Sequence, residues 1–435
     1  MAESEGFTKA FEALKAGKYE QARALFDQHE ASAGTAAETR RWLAEGDAAL
    51  AAGDTQTAGA RYDAVLDRNP SLPELYFGLA RLALFSGEVS AATVHATAAT
   101  RLAPKTGRAW TLLGLVHEAK GDGAKALELL EKGAALSPDD FLCQFNLGRV
   151  LADQGDFARG VAALDAATKL EKNNPAGFIA LGVAYERAKQ HAKAVTALEK
   201  ATFVQPKSFD AWATLADVHF AHQDYKAARA ALDAGLRACG DHPALLEKAV
   251  AVAMVQADTK GALGYVRREL EVVPDHEQAW LNLAGLLLLD KQVDASERAA
   301  QECLKRHPKS WSAHFHLGNL YEAVPKDAEA EAAYGKAIEL APAEWKPLAN
   351  LGALLVQGTD ADKHAEAVKL LEKASTLAPK DELRPRYNLA LACARLGKID
   401  KALEHARAVK KAAPPGSAMA VEGAKLEANL LEKKS

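Results

Sequence analysis

The sequence is poor in the features that usually announce chemistry. Its 4 cysteines, Cys143, Cys239, Cys303 and Cys393, lie far apart and form no CxxC pair. That spacing speaks against a disulfide framework and a thiolate zinc site, and fits small buried thiols in a reducing compartment. No apolar run approaches the roughly 18 residues that span a bilayer. The longest candidate, around Leu286 to Leu289, is broken at once by Asp290 and Lys291. Met1 to Phe7 is acidic and polar, without the basic and apolar regions of a secretory leader, so a cytoplasmic location is expected. Charge of one sign is not in excess either: 54 basic against 58 acidic side chains leave a net charge of −4, which excludes a nucleic-acid footprint. Phosphate loops, nucleophile elbows and HExxH helices are all missing, so neither an enzyme nor a cofactor-binding protein is expected. Apolar residues at 49% and charged residues at 26% are ordinary for a soluble folded chain.

What is present is a period. Trp42, Tyr76, Trp110, Phe178, Trp212 and Trp280 differ by multiples of 34, and so do Pro70, Pro104, Pro138, Pro206, Pro274, Pro308 and Pro342. A fixed period of this size marks an array in which each unit buries its apolar face only against its neighbours. One unit, residues 107–140, shows how it is built. Trp110, Leu113, Gly114 and His117 fall at i, i+3, i+4 and i+7, one stripe of a helix. Gly121 interrupts the stripe where the chain must reverse. Ala126, Leu130 and Gly133 begin a second stripe, which Pro138 stops. Gly114 and Ala126 are small enough to let the two helices approach, and Trp110 and Leu113 fill the space beside them.

This pattern resembles the tetratricopeptide repeat. Its signature appears as Trp42, Gly46, Gly53, Ala58, Tyr62 and Pro70. It returns as Phe178, Leu181, Gly182, Tyr185, Ala194, Ala201 and Pro206, and again as Leu317, Gly318, Tyr321, Ala330, Tyr334, Ala337 and Pro342. The resemblance covers nearly the whole chain. It implies an all-α, right-handed superhelical solenoid of about twelve antiparallel helix pairs. We expect an atypical first repeat at 1–38, a regular array at 39–344, two repeats with longer turns at 345–416 and a capping helix at 417–435. The unit from Pro243 is eroded, with Leu246, Ala249 and Val250 in place of the usual set. Pro325 stands where the inter-helix turn usually has glycine and is expected to stiffen it. Extra residues around Gly358 to Lys363 suggest a longer turn.

The resemblance also implies function: an interaction scaffold for protein or peptide partners, with self-association or service as a subunit of an enzyme or secretion complex as alternatives. In the family the first helix of each unit lines a concave groove, and its second, fifth, sixth and ninth positions meet ligands. By that register two stretches stand out. One displays Phe77, Arg81, Arg108, Thr111, Phe145, Asn146 and Arg149, arginines among aromatic faces that suit a carboxylate with apolar neighbours. The other displays Phe315, Asn319, Lys346, Asn350, Arg384, Tyr387 and Asn388. It is similar in part to a dicarboxylate clamp for peptide C-termini, matched by Asn319, Asn350 and Arg384 but not by Phe315 or Asn388. The asparagines also suit a peptide backbone, since an amide both donates and accepts. Histidines give no clear metal site: His219 and His222, near Asp217, share a helix face, but His219 stands at a packing position. His314 and His316 point to different sides.

Overall fold

The computed structural model describes residues 2–16, 18–358 and 360–434. Among them are 25 α-helices. The chain divides into two compact units, Met1–Ala231 and Leu232–Ser435. In chain order the first helices are α1 (Ala2–Lys15), α2 (Tyr19–Ala33), α3 (Ala36–Ala51), α4 (Thr55–Arg68), α5 (Pro73–Phe85) and α6 (Val89–Leu102). They continue as α7 (Gly107–Ala119), α8 (Gly123–Leu136), α9 (Phe141–Asp153), α10 (Phe157–Leu170), α11 (Pro175–Arg187), α12 (His191–Val204), α13 (Phe209–Ala221) and α14 (Tyr225–Cys239). Next come α15 (Pro243–Val255), α16 (Thr259–Val272), α17 (Glu277–Leu289), α18 (Val293–Arg306), α19 (Trp311–Ala323) and α20 (Asp327–Leu340). The last are α21 (Trp345–Gln357), α22 (Ala361–Leu377), α23 (Arg384–Arg395), α24 (Ile399–Ala412) and α25 (Ala418–Lys434).

The two ends of each pair are set by chemistry that repeats with the sequence. Asp54, Asp122, Asp156 and Asp258 cap the second helices of their pairs, their carboxylates accepting from Thr57, Lys125, Arg159 and Gly261 backbone N–H groups at 2.9–3.2 Å. The periodic aromatics and prolines are bonded to each other. Tyr76 Oη donates to the Pro70 carbonyl, and the Trp110, Trp212 and Trp280 indoles donate to those of Pro104, Pro206 and Pro274, each at 2.8 Å. Gln144, standing in for an aromatic, reaches the Pro138 carbonyl at 3.2 Å. Each such bond ties the start of one unit to the connection that precedes it.

In several pairs a small residue on the first helix faces a large one on the second. An added Cβ at Gly182 would lie 2.6 Å from Leu198 Cγ, and one at Gly148 would lie 2.6 Å from Leu164 Cγ. The eroded unit evens out the sizes: Val250 stands at the glycine position and Val266 at the leucine position, both buried. The first pair, lacking the periodic aromatic, is held by edge-on contacts among Phe7, Phe11 and Phe26, with ring centroids 5.0–5.5 Å apart. The extra residues near Gly358 do not widen that turn. They lengthen α22 to 17 residues, and the longer connections follow it at 378–383 and follow α24 at 413–417. In α25, Leu426 and Leu430 bury against the apolar cluster of the second unit, while Glu427 pairs with Arg407 and Lys410 at 2.8 and 3.0 Å.

One buried charge makes stability depend on pH. Glu269 is 1% exposed; its Oε1 meets His276 Nδ1 at 2.6 Å, and its Oε2 has no partner among the described residues. Burial raises the Glu269 carboxyl above its usual range, against the opposing pull of His276. A raised carboxyl contributes stability at low pH that is lost as pH rises through the folded value. Glu269→Gln copies the protonated form. We expect its melting temperature relative to wild type to climb as pH rises from the ordinary carboxylate range through the raised value of Glu269; a difference that is flat or falls over that rise contradicts this account.

Candidate groove site

In the first unit, successive first helices α3, α5, α7 and α9 pack side by side. Between them lies a cavity of about 420 Å³ lined by Asp47, Glu74, Phe77, Arg81, Arg108, Thr111, Leu112, Leu115, Leu142 and Asn146. Counted from the start of each unit, all of these residues occupy the second, fifth, sixth or ninth position. One wall is apolar, formed by Phe77 with three leucines, and the rim carries two acids and two arginines. Its size falls within the roughly 300–1,000 Å³ range of small-ligand and side-chain pockets.

Both rim arginines already have acidic partners. Arg81 Nη1 lies 3.4 Å from Asp47 Oδ1, the same oxygen that accepts from Tyr62 Oη at 2.8 Å. Arg108 Nε donates to Asp140 Oδ2 at 2.6 Å. The side chains of Arg81 and Arg108 are 50% and 54% exposed, so these pairs are screened and exchangeable. Thr111 lines the cavity, but its hydroxyl donates to Cys143 Sγ at 3.3 Å. Burial pushes that thiol up to about 11, which keeps it protonated and unreactive.

Other expected residues are committed elsewhere. Arg149 lies outside the cavity and forms a two-bond pair with Glu118, at 2.8 and 2.6 Å, plus a contact to Asp153 at 3.2 Å. Those bonds, the Glu118 one foremost, hold its guanidinium above the ordinary range. Arg187 continues the line by pairing with Asp153. Phe145 stacks on Phe141 at 5.4 Å, and the Asn146 amide donates to the Leu142 carbonyl of its own helix at 2.8 Å.

In the second unit Asn319 and Asn350 also turn toward protein groups. Asn350 Nδ2 and Tyr334 Oη each reach Asn319 Oδ1 at 2.8 Å, and Glu322 Oε2 lies 2.8 Å from the same tyrosine hydroxyl. Phe315 and Tyr387 pack against the apolar cluster of that unit. Lys346 sits 6.0 Å over the Trp345 ring, Arg384 is exposed, and Asn388 is half-buried. The structure therefore gathers Phe77, Arg81, Arg108 and Asn146 around one cavity, while Asn319 and Asn350 brace a buried tyrosine. Asp47, Glu74 and the leucines were not singled out beforehand, although the same positional rule marks them.

Matches to known proteins follow the same periodicity. The chain matches the tetratricopeptide-repeat family at residues 7–73, 49–116, 107–140, 145–203, 180–243, 292–344 and 360–417. It belongs to this family. Tetratricopeptide-repeat proteins mediate protein interactions, and the fold is typically a non-catalytic scaffold. Over 191 residues the chain is 31% identical to cellulose synthase 2 operon protein C of Komagataeibacter xylinus, a stretch that covers 43% of this chain and 14% of that protein. The chain thus spans only a small part of that relative's length. Among solved structures, yeast Tom70 aligns at 14% identity and a TM-score of 0.47, covering 92% of this chain and 97% of Tom70. A thermophilic tetratricopeptide-repeat protein of Thermus thermophilus aligns at 24% identity and a TM-score of 0.39, covering 42% of this chain and 99% of its own. No helix among the described residues is long and apolar enough to cross a membrane.

Proposed function

We propose that this tetratricopeptide-repeat chain is a non-enzymatic scaffold that holds an extended segment of a protein partner along α3, α5, α7 and α9. The observation that supports this most is the cavity whose entire lining falls on the ligand-facing repeat positions. An apolar side chain of the partner enters against Phe77, Leu112 and Leu115. A neighbouring acidic group takes Arg81 and Arg108 over from Asp47 and Asp140, exchanging one charge-assisted bond for another. The preformed row of helices keeps the ordering cost on the scaffold side small.

The test is capture of partners from the native source. Arg81→Ala combined with Arg108→Ala is expected to leave helicity and melting unchanged, because both arginine side chains are about half exposed, and to weaken capture by about tenfold or more, the loss typical of anchor residues. Capture at wild-type strength removes the groove assignment. The 31% match also supports a narrower reading, in which the partner belongs to a cellulose-synthesis machinery. Identification of the captured proteins decides that point separately.

A further inference from the structure

Near the end of the first unit, three donors that the packing signature does not use meet at the edge of two neighbouring repeats. Glu186 is the penultimate residue of α11, His191 opens α12, and His222 directly follows α13. His222 Nε2 lies 2.6 Å from Glu186 Oε1, and His191 Nδ1 lies 3.3 Å from Glu186 Oε2. One ligand atom from each of the three lies within 4.8 Å of the others. The imidazoles of His191 and His222 face each other with centroids 3.7 Å apart, and His219 stands edge-on to His191 at 6.1 Å. Asp217, which precedes His219 and His222 on α13, is not a member of this group; the acid comes instead from the preceding repeat.

We propose that Glu186, His191 and His222 form a binding site for a divalent transition-metal ion of the zinc or nickel kind, which pins α13 to the α11–α12 turn. Two imidazoles and one carboxylate suit such ions better than magnesium or calcium, which favour all-oxygen sets. Bonds of about 2.0–2.2 Å place the donors about 3.4 Å from one another, so the 2.6 Å contact between His222 and Glu186 must open by about 0.8 Å to admit the ion. The His222 side chain, 43% exposed, is free enough of packing to supply that movement. Each imidazole needs only to shift its proton to its far nitrogen, since the neutral ring is the ligand. Three protein donors leave coordination positions open to water or to a side chain of a bound partner.

The experiment uses the full chain without a histidine tag. Calorimetric titration with zinc chloride is expected to show one ion per chain, and cobalt substitution to give ligand-field bands without a thiolate charge-transfer band. His191→Ala and His222→Gln are each expected to weaken zinc binding by at least about tenfold, the minimum cost seen even for groups one shell further out. His314→Ala, which changes a histidine of α19 outside the cluster, leaves it unchanged. Zinc raises the melting temperature of wild type and of His314→Ala, but not of the two site variants. His222→Gln changes an exposed side chain and keeps the fold, so loss of binding there reads the site itself. Equal zinc uptake by wild type and His222→Gln, or no uptake by wild type at tens of micromolar metal, overturns the proposal.

Discussion

Gly107→Ala is expected to destabilise the first unit by about 2–3 kcal/mol, although glycine to alanine inside a helix normally stabilises by up to about 1 kcal/mol. The sign reverses because two backbones touch. A Cβ added at Gly107 lands on the Gly133 carbonyl oxygen and lies 2.7 Å from Ser137 Cβ; one added at Gly133 lies 2.9 Å from the Gly107 carbonyl oxygen. Neither carbonyl can rotate away without breaking its helix, and the Gly107 N–H is also held by Ser137 Oγ at 3.0 Å. The helices α7 and α8 must therefore separate, which opens the contact between Leu130 and Gly114 as well. Urea unfolding followed by far-ultraviolet circular dichroism reads the loss. Gly59→Ala, where the added Cβ meets only Leu82 at an ordinary 3.7 Å, is the matched control and is expected to stabilise. If Gly107→Ala behaves like Gly59→Ala, the close approach of α7 and α8 is refuted.

How far the sequence could be read depends on whether a feature lies inside one repeat or between repeats. The helix pairs were legible because every unit meets the same surroundings, so Trp110, Gly114, Ala126 and Pro138 recur wherever that environment recurs. Part of the cavity lining was legible too: the family's ligand-facing positions, carried over by register, mark Phe77, Arg81, Arg108, Thr111 and Asn146. Pairing between units was not. Arg149 and Arg108 are alike in sequence, yet one is locked by Glu118 and the other sits on an open rim, since partners some 31 or 32 residues away carry no local signal. The extra residues near Gly358 do carry a local signal, of helix rather than turn. The segment Ala361–Leu377 is rich in alanine, leucine, lysine and glutamate, which favour extending α22 over widening a turn. The grouping of His191 with His222 needed the fold, because 31 residues separate them.

The turns between paired helices carry the second large effect, and here sequence and conformation disagree. From α3 to α20 these turns close with an i to i−5 bond, for example from Asp122 N to the His117 carbonyl at 2.9 Å and from Asp258 N to the Ala253 carbonyl at 2.9 Å. That bond requires a left-handed residue just before the donor. Gly53, Gly87, Gly121 and Gly155 supply it with φ of 81°, 74°, 79° and 91°. At the same register Lys189, Gln223, Ala257 and Lys291 are forced to φ of 58°, 61°, 56° and 61°. Nothing lies within 4 Å of an added Cβ at the four glycines, so the dihedral alone decides the energy there. A left-handed residue with a Cβ costs about 1–2 kcal/mol, and glycine recovers part of this after its larger unfolded-state entropy. Changing all four glycines to alanine is therefore expected to cost the first unit about 4 kcal/mol. Ala257→Gly and Lys291→Gly are each expected to add about 0.5–1 kcal/mol to the second, and to add independently because they share no partner. Urea midpoints of the two sets must move in opposite directions. Ala257→Gly lowering the midpoint, as in an ordinary helix, shows that the turn is not left-handed and that packing between repeats does not dictate the backbone there.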